Sequence, residues 1–380
     1  MRFPEKLTYR IQKRLDDHTL RELSPPSSLI DFASNDYLGF SRSQEISREA
    51  HLLLNRNPQK NGSTGSRLLS GNQAIHVEAE GLIAAFHQSE SSLLYNSGYD
   101  ANLGFFSCVP QRGDIIFYDE LCHASIRDGL RLSNANAYKF SHNDLEDLTE
   151  LIEKHSASEG EIYIATESVF SMDGDSPDLL RLCEIAANNY CLLIIDEAHA
   201  LGVFGKNGSG LVQELQLQDQ IFARIVTFGK GLGCHGAAVL GSQQLIQYLI
   251  NYSRSFIYTT AIAPHSVATI ISAYEQLAKS ANEIEMLREN ILHFNREITQ
   301  LGIKQLFVKG KSAIQSAIIP GNETVKKVAV ELQRSGYDVR PILSPTVPAG
   351  QERLRFCLHS FNSRAEISDV LRLLATFVYG

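Results

Sequence analysis

Leu192-Leu193-Ile194-Ile195-Asp196-Glu197-Ala198-His199 holds the key to the architecture. Four aliphatic residues in succession suit a strand buried on both faces, and the run stops at an acid followed one turn later by an imidazole. Outward from it, short β-branched or aromatic runs recur at residues 92–95, 115–118, 137–140, 162–166, 225–228 and 237–240. From about residue 73 onward, helical patterns alternate with them. Such alternation predicts an α/β protein, a mostly parallel sheet with flanking helices. After Pro264 a long helical stretch reaches about Leu301. Strands around Ile318 and at 354–358 follow, with helices near 324–335 and 364–378. This predicts a smaller C-terminal α/β domain. Residues 4–23 read as an amphipathic helix ended by Ser24-Pro25-Pro26, with a short segment at 30–33 after it. The expected division is an N-terminal helical arm 1–34, a large domain 35–270 and a small domain 271–380.

Ligands of open α/β sheets bind beyond the carboxyl ends of the strands. Polar residues fall at such ends repeatedly: Asn96-Ser97-Gly98-Tyr99, residues 119–123, residues 167–175, Asp196 and Thr227. Ser97-Gly98-Tyr99 has the build of a phosphate cup, with a small residue, a glycine and the free N–H groups of a helix start. Thr227-Phe228-Gly229-Lys230 adds a hydroxyl and an amine. Acid, imidazole and lysine together fit pyridoxal 5'-phosphate. The amine can form an imine with it, and the carboxylate can keep its pyridine nitrogen protonated so that the ring withdraws electrons. Gly229, Gly231 and Gly233 leave side chains off the lysine loop, which lets a planar ring approach the backbone. Taken singly, each feature has an ordinary reading: a capped helix at Ser97 or Asp196, a solvated lysine in a glycine-rich turn, structural histidines at His123, His142 and His235.

Two look-alikes fail on their own terms. Asp196-Glu197-Ala198-His199 spells the box of nucleic-acid-dependent ATPases, which needs an upstream G-x-x-x-x-G-K-[ST] loop. Gly310-Lys311-Ser312 lies downstream, and Gln305 stands where the first glycine belongs. Gly231-Leu232-Gly233-Cys234-His235-Gly236 spells the dinucleotide fingerprint, which expects an acid about 20 residues further on. Residues 237–274 contain no Asp or Glu.

The 380 residues are 43% hydrophobic and 21% charged, the composition of an ordinary globular protein. A net charge of -8 gives no field for nucleic acid or an anionic membrane. No run approaches the roughly 20 apolar residues of a membrane span, and a cytoplasmic protein is expected. The six cysteines contain no C-x-x-C and sit in apolar segments, which suits reduced thiols, and no metal is implied.

The chain resembles the α-oxoamine synthases, pyridoxal-phosphate enzymes of the aspartate-aminotransferase fold, and within them the branch that serves biotin synthesis. The resemblance spans nearly the whole chain. It rests on Ser34-Asn35-Asp36-Tyr37-Leu38-Gly39, Gly62-Ser63-Thr64-Gly65-Ser66-Arg67 with Ser70-Gly71, Asn96 to Tyr99, Ser125 after His123-Ala124, residues 168–175, the Asp196 to His199 box, the Lys230 loop and Pro345-Thr346-Val347-Pro348-Ala349-Gly350. It implies that Lys230 carries the cofactor and moves the proton at the substrate α-carbon. Asp196 would pair with the pyridine nitrogen, His123 stack on the ring, and His199 and Ser171 contact the phenolic oxygen. Ser97, Gly98, Tyr99, Glu167, Thr227 and, from a neighbouring subunit, Thr260 would complete the cofactor site. Arg21, Asn35, Thr346 and Arg355 would face substrate, Arg355 holding the amino-acid carboxylate.

The implied reaction joins a small amino acid, alanine favoured, to an acyl-CoA, pimeloyl-type favoured, with loss of CO2. A homodimer with shared active sites is implied too. The family includes serine palmitoyltransferase-like and glycine C-acetyltransferase-like alternatives, and a plain aminotransferase is the rival on the same fold. Leu343 stands where the nearest branch carries an arginine, which leaves the acyl chain open.

Overall fold

The computed structural model describes residues 2–23, 28–56, 60–156 and 159–380. The chain forms two compact units, one of residues 35–171 and 175–287, the other of residues 1–34, 172–174 and 288–380. The chain opens in the smaller unit with α1 (Glu5–Asp16) and β1 (Ile30–Asp31). The first helix thus stops short of the expected residue 23, and its expected terminator at Ser24-Pro25-Pro26 lies outside the described residues.

The larger unit follows with α2 (Gln44–Asn55), α3 (Ala74–Phe86), β2 (Ser91–Tyr95), α4 (Gly98–Cys108), β3 (Ile115–Asp119), α5 (Ala124–Leu132) and β4 (Asn136–Phe140). Strands β5 (Ile162–Glu167), β6 (Leu192–Asp196), β7 (Ala223–Thr227) and β8 (Ala237–Gly241) complete a seven-stranded sheet in the order β2-β8-β7-β6-β5-β3-β4. Neighbours run parallel except β8, which is antiparallel to both β2 and β7. The aliphatic run of β6 explains its central place. Ile194 packs into a core cluster on one face with Phe105 and Ile116, while Leu193 and Ile195 enter the cluster on the other with Ile164 and Phe117. Alternating side chains that are apolar throughout fill both layers. At the rim β4 leaves Asn136 to Lys139 exposed, a polar edge that discourages further pairing.

The parallel register brings strand ends level, so that Glu167 lies opposite Asp196. Another strand-end contact fastens the frame. His142 offers Nδ1 to Asp119 at 2.9 Å and Nε2 to Asp175 at 2.9 Å, tying β3 to the loop after β5. Burial opposes the charge on this imidazole, but the two carboxylates outweigh it and push its pKa up to about 10. A raised folded pKa makes the stabilisation full below the unfolded value of about 6.5 and lost as pH rises through the folded one. The stability difference between the parent protein and His142→Gln therefore shrinks between pH 7 and pH 10 in urea titrations, and a constant difference would contradict the ionic clamp.

The smaller unit adds β9 (Ile314–Ile318), β10 (Tyr337–Asp338), β11 (Arg340–Ile342) and β12 (Arg353–Cys357), with helices Asn322–Arg334 and Arg364–Tyr379. Its antiparallel sheet runs β11-β12-β9, and β1 pairs in parallel with β10. The start of the chain is therefore part of this unit. Phe32 packs edge-on to Phe356, and Cys357 N–H donates to Phe32 O at 2.8 Å. Strands β10 and β11 went unanticipated because two or three residues are too few to show a period. The units divide at residue 287 rather than 270. The helix Pro264–Leu277 packs on α2 and α3 and buries Val267, Ile271 and Tyr274 there, so it belongs to the larger unit.

Candidate active site

A cavity of about 270 Å3 opens at the carboxyl ends of the large sheet's strands. It is lined by Asn35, Ser97, Gly98, Tyr99, His123, Glu167, Asp196, His199, Thr227 and Lys230, ten of the residues expected from the sequence, and also by Asn102, Ser125, Ala198, Gly229, His235 and Gly236. Each arrives for a local reason. Asp196 ends β6 and Thr227 ends β7, while Ser97 caps α4 by accepting from Asp100 N–H. His123 caps α5 in the same way, its ring accepting from Ser125 N–H. Lys230 sits in the tight connection from β7 to β8, where Phe228 N–H donates to Gly236 O at 2.9 Å and Cys234 N–H to Phe228 O at 2.8 Å.

The amine of Lys230 lies 2.7 Å from His199 Nε2. Because the Tyr37 hydroxyl beside Nδ1 donates elsewhere, the imidazole proton falls on Nδ1 and Nε2 accepts from the amine. Nδ1 faces Tyr37 Oη at 2.7 Å, and the Tyr37 hydroxyl donates in turn to Asn35 Oδ1 at 3.2 Å. Asp196, 4% exposed, accepts from Ala198 N–H at 2.9 Å and from Asn102 Nδ2 at 2.8 Å, one bond on each oxygen. Glu167 accepts from His123 N–H at 2.6 Å. Burial and then repulsion from Asp196 push the Glu167 pKa up to about 8. Burial lowers the His123 pKa against the pull of Asp196.

Pyridoxal phosphate fits these residues. Thr227 Oγ1 is buried without a hydrogen-bond partner among the described residues, a donor placed for an anion. A Cβ on Gly98 would overlap Thr227 Cγ2, so only glycine keeps that side of the cup open. Among the lining residues Lys230 brings the one primary amine. The other loop glycines serve a different purpose from the one expected. A Cβ on Gly231 would overlap Leu201 O and one on Gly233 would overlap Ser41 N, so they let chain segments pack, and Gly229 alone of the three lines the cavity. Replacing Thr227 by valine is expected to weaken pyridoxal phosphate binding about tenfold or more, the loss of a hydrogen bond to a charged group. A fluorescence titration reads this, and unchanged affinity would remove Thr227 from the phosphate site.

Five expected site residues lie outside the lining. Ser171 is only half-buried in the loop after β5, and Thr260 offers its carbonyl to Asn96 Nδ2 at 3.0 Å. Arg21, Thr346 and Arg355 belong to the smaller unit. There Arg21 Nη2 donates to Thr346 Oγ1 at 3.4 Å, and Arg355 is buried on β12 with Nη1 3.0 Å from Cys357 Sγ. Arg353, its neighbour on that strand, pairs with Asp173. Sequence reasoning gave no role to Tyr37 or Asn102. The signal for Asn102 was an amide in the otherwise small and apolar run Ala101-Asn102-Leu103-Gly104-Phe105.

Fold and site together define a pyridoxal-phosphate enzyme. The family described as aminotransferase class I and II matches residues 27–373, and the chain belongs to it. It is similar to the 8-amino-7-oxononanoate synthase of Emericella nidulans, 42% identical over 98% of this chain and 95% of that one. The crystal structure of 8-amino-7-oxononanoate synthase from Francisella tularensis is 29% identical with a TM-score of 0.78, covering 92% of this chain and 98% of that one. A serine palmitoyltransferase from S. paucimobilis, solved with bound PLP-myriocin aldimine, is 25% identical with a TM-score of 0.89 over 98% and 96% of the two chains. The protein is thus a pyridoxal-phosphate-dependent acyltransferase of the kind these relatives represent. No helix among the described residues is long and apolar enough to cross a membrane.

Proposed function

We propose that this chain catalyses the decarboxylating condensation of a small amino acid, alanine first, with a pimeloyl-type acyl-CoA to give an α-amino ketone, as a step of biotin synthesis. The observation that carries the reading is Lys230 set against His199 in the cavity that also holds Asp196, in a chain 42% identical to an 8-amino-7-oxononanoate synthase. When bound, pyridoxal phosphate supplies an electron sink for the pair left at the amino acid's α-carbon. Lys230 takes the α-proton and returns it, within reach of His199, which steadies the amine between proton transfers. Asp196, held by two donors, would pair with the pyridine nitrogen. His123 would lie against the ring, and Ser97, Gly98, Tyr99 and Thr227 would hold the phosphate. The α-carbon bonds to the thioester carbon, the carbon–sulfur bond breaks to release CoA, and the carboxylate departs as CO2.

Arg355, Arg21, Asn35 and Thr346 are assigned to substrate, with Arg355 taking the carboxylate by its planar fork. We assign the working form to a cytoplasmic homodimer in which Thr260 serves the partner's site. Exposed Leu68, Leu69, Val77 and Tyr258 supply apolar surface for such a contact. Mass spectrometry of products from alanine, serine and glycine, each with acyl-CoAs of several lengths, tests the substrates. CoA released only with serine and a long acyl chain would favour a serine palmitoyltransferase-like activity, and a requirement for a 2-oxo acid would favour an aminotransferase.

A further inference from the structure

Asn102 stands on α4 five residues beyond the N-cap Ser97, and it is 2% exposed. Its Nδ2 donates at 2.8 Å to Asp196 Oδ2 and at 3.0 Å to Ser125 Oγ. A carboxylate is an acceptor only, so the amide cannot turn its oxygen toward Asp196, and both N–H groups are committed. Ser125 is fully buried, and its Oγ touches one other polar atom among the described contacts, His123 Nδ1, at 2.7 Å. With its lone pair taken by Asn102, the hydroxyl gives its proton to Nδ1. The same nitrogen also faces Ser125 N–H at 3.2 Å. Two donors converge on one ring nitrogen, and that nitrogen has no room for a proton of its own.

The geometry assigns to Asn102 a positioning role: through Ser125 it fixes His123 as the neutral imidazole with its proton on Nε2, while its other N–H holds Asp196. The direction of the whole chain follows from one acceptor-only group at its end. The charges near the ring are Asp196, Lys230, Arg127 and Asp128, with Glu167 on the His123 backbone N–H. Two of the cavity's imidazoles are then opposite tautomers, His199 carrying its proton on Nδ1 and His123 on Nε2. A neutral ring over the cofactor adds no second positive charge beside the pyridinium that Asp196 must balance. That consequence rests on the cofactor reading above, whereas the tautomer is a property of the protein with or without the cofactor.

The test is nitrogen NMR of 15N-histidine-labelled protein, both free and loaded with pyridoxal phosphate, with His123→Gln used to assign the signal. At neutral pH His123 is expected to show a protonated Nε2 and an unprotonated Nδ1. In Asn102→Ala the Ser125 hydroxyl is free to turn and accept, so the His123 signals move toward mixed tautomers and the titration midpoint rises. Ser125→Ala, a smaller change, shifts them in the same direction. The pyridoxal phosphate dissociation constant of Asn102→Ala rises about tenfold as Asp196 loses a donor. A protonated Nδ1 in the parent protein, or His123 signals unmoved in both variants, overturns the assignment. Failure of pyridoxal phosphate to bind while the tautomer is as stated would count against the cofactor reading alone.

Discussion

Lys230→Ala lowers kcat by roughly 10^4-fold, the upper range for removing a positioned general base, and abolishes covalent retention of the cofactor. The proposed function gives one amine two tasks. It alone among the lining residues can form an imine, and it stands 2.7 Å from an imidazole nitrogen that accepts its proton density. Neither His199 nor His123 is placed to substitute. His199 is committed on both nitrogens, to Lys230 and to Tyr37, and His123 is held by Ser125. Borohydride treatment of the loaded protein followed by peptide mass spectrometry should place the reduced adduct on Lys230. An alanine variant that turns over at the parent rate, or an adduct elsewhere, would end the assignment.

Arg224→Leu destabilises the large unit by about 3–5 kcal/mol, the range for stranding one partner of a buried ion pair. Arg224 on β7 is 3% exposed and donates through Nε at 3.0 Å and Nη2 at 2.6 Å to Glu197 Oε2. Glu197 is fully buried and its other oxygen accepts from Val212 N–H at 2.9 Å. Gly210, at φ +107°, is needed beside it, since a Cβ there would come within 2.7 Å of both carboxylate oxygens. The guanidinium also donates to His87 O at 3.1 Å, and burial followed by this positive charge keeps His87 well below its usual pKa. Removing the arginine therefore leaves a carboxylate sealed from water. The double variant Glu197→Leu with Arg224→Leu should lose much less than the sum of the two single variants, because it removes both charges. Urea unfolding of the three proteins measures this, and additive losses would show that the pair is not coupled.

This pair also shows where sequence reading stops. The Asp196 to His199 box was legible as cavity lining at both ends, because Asp196 ends a strand of aliphatics and His199 follows by one turn. Glu197 between them carried no signal, since its partner is 27 residues away on the next strand and only the fold brings them together. The sheet itself was legible because its inner strands are apolar on both faces, as in β6. The reversal of β8 was not, since an aliphatic run such as Ala237 to Leu240 reads the same in either direction. The cavity residues at strand ends were found by position, whereas Asn102, inside a helix, acts through contacts with Ser125 and Asp196 that no local pattern encodes. The lysine-loop glycines were visible, but what they touch, Leu201 and Ser41, was not.

The reversal of β8 has a mechanical result for the reacting amine. Because the chain turns straight back from β7, the lysine-bearing segment is anchored at both ends, by Phe228 N–H to Gly236 O and Cys234 N–H to Phe228 O, with Gly233 N–H to Lys230 O at 2.8 Å between them. A loop stitched in this way cannot swing as a flap. The travel of the amine is then limited to the reach of its own four-carbon tether. In the proposed reaction the backbone would serve as a pivot, and rotation about the side-chain bonds would carry the nitrogen between the cofactor and the substrate proton.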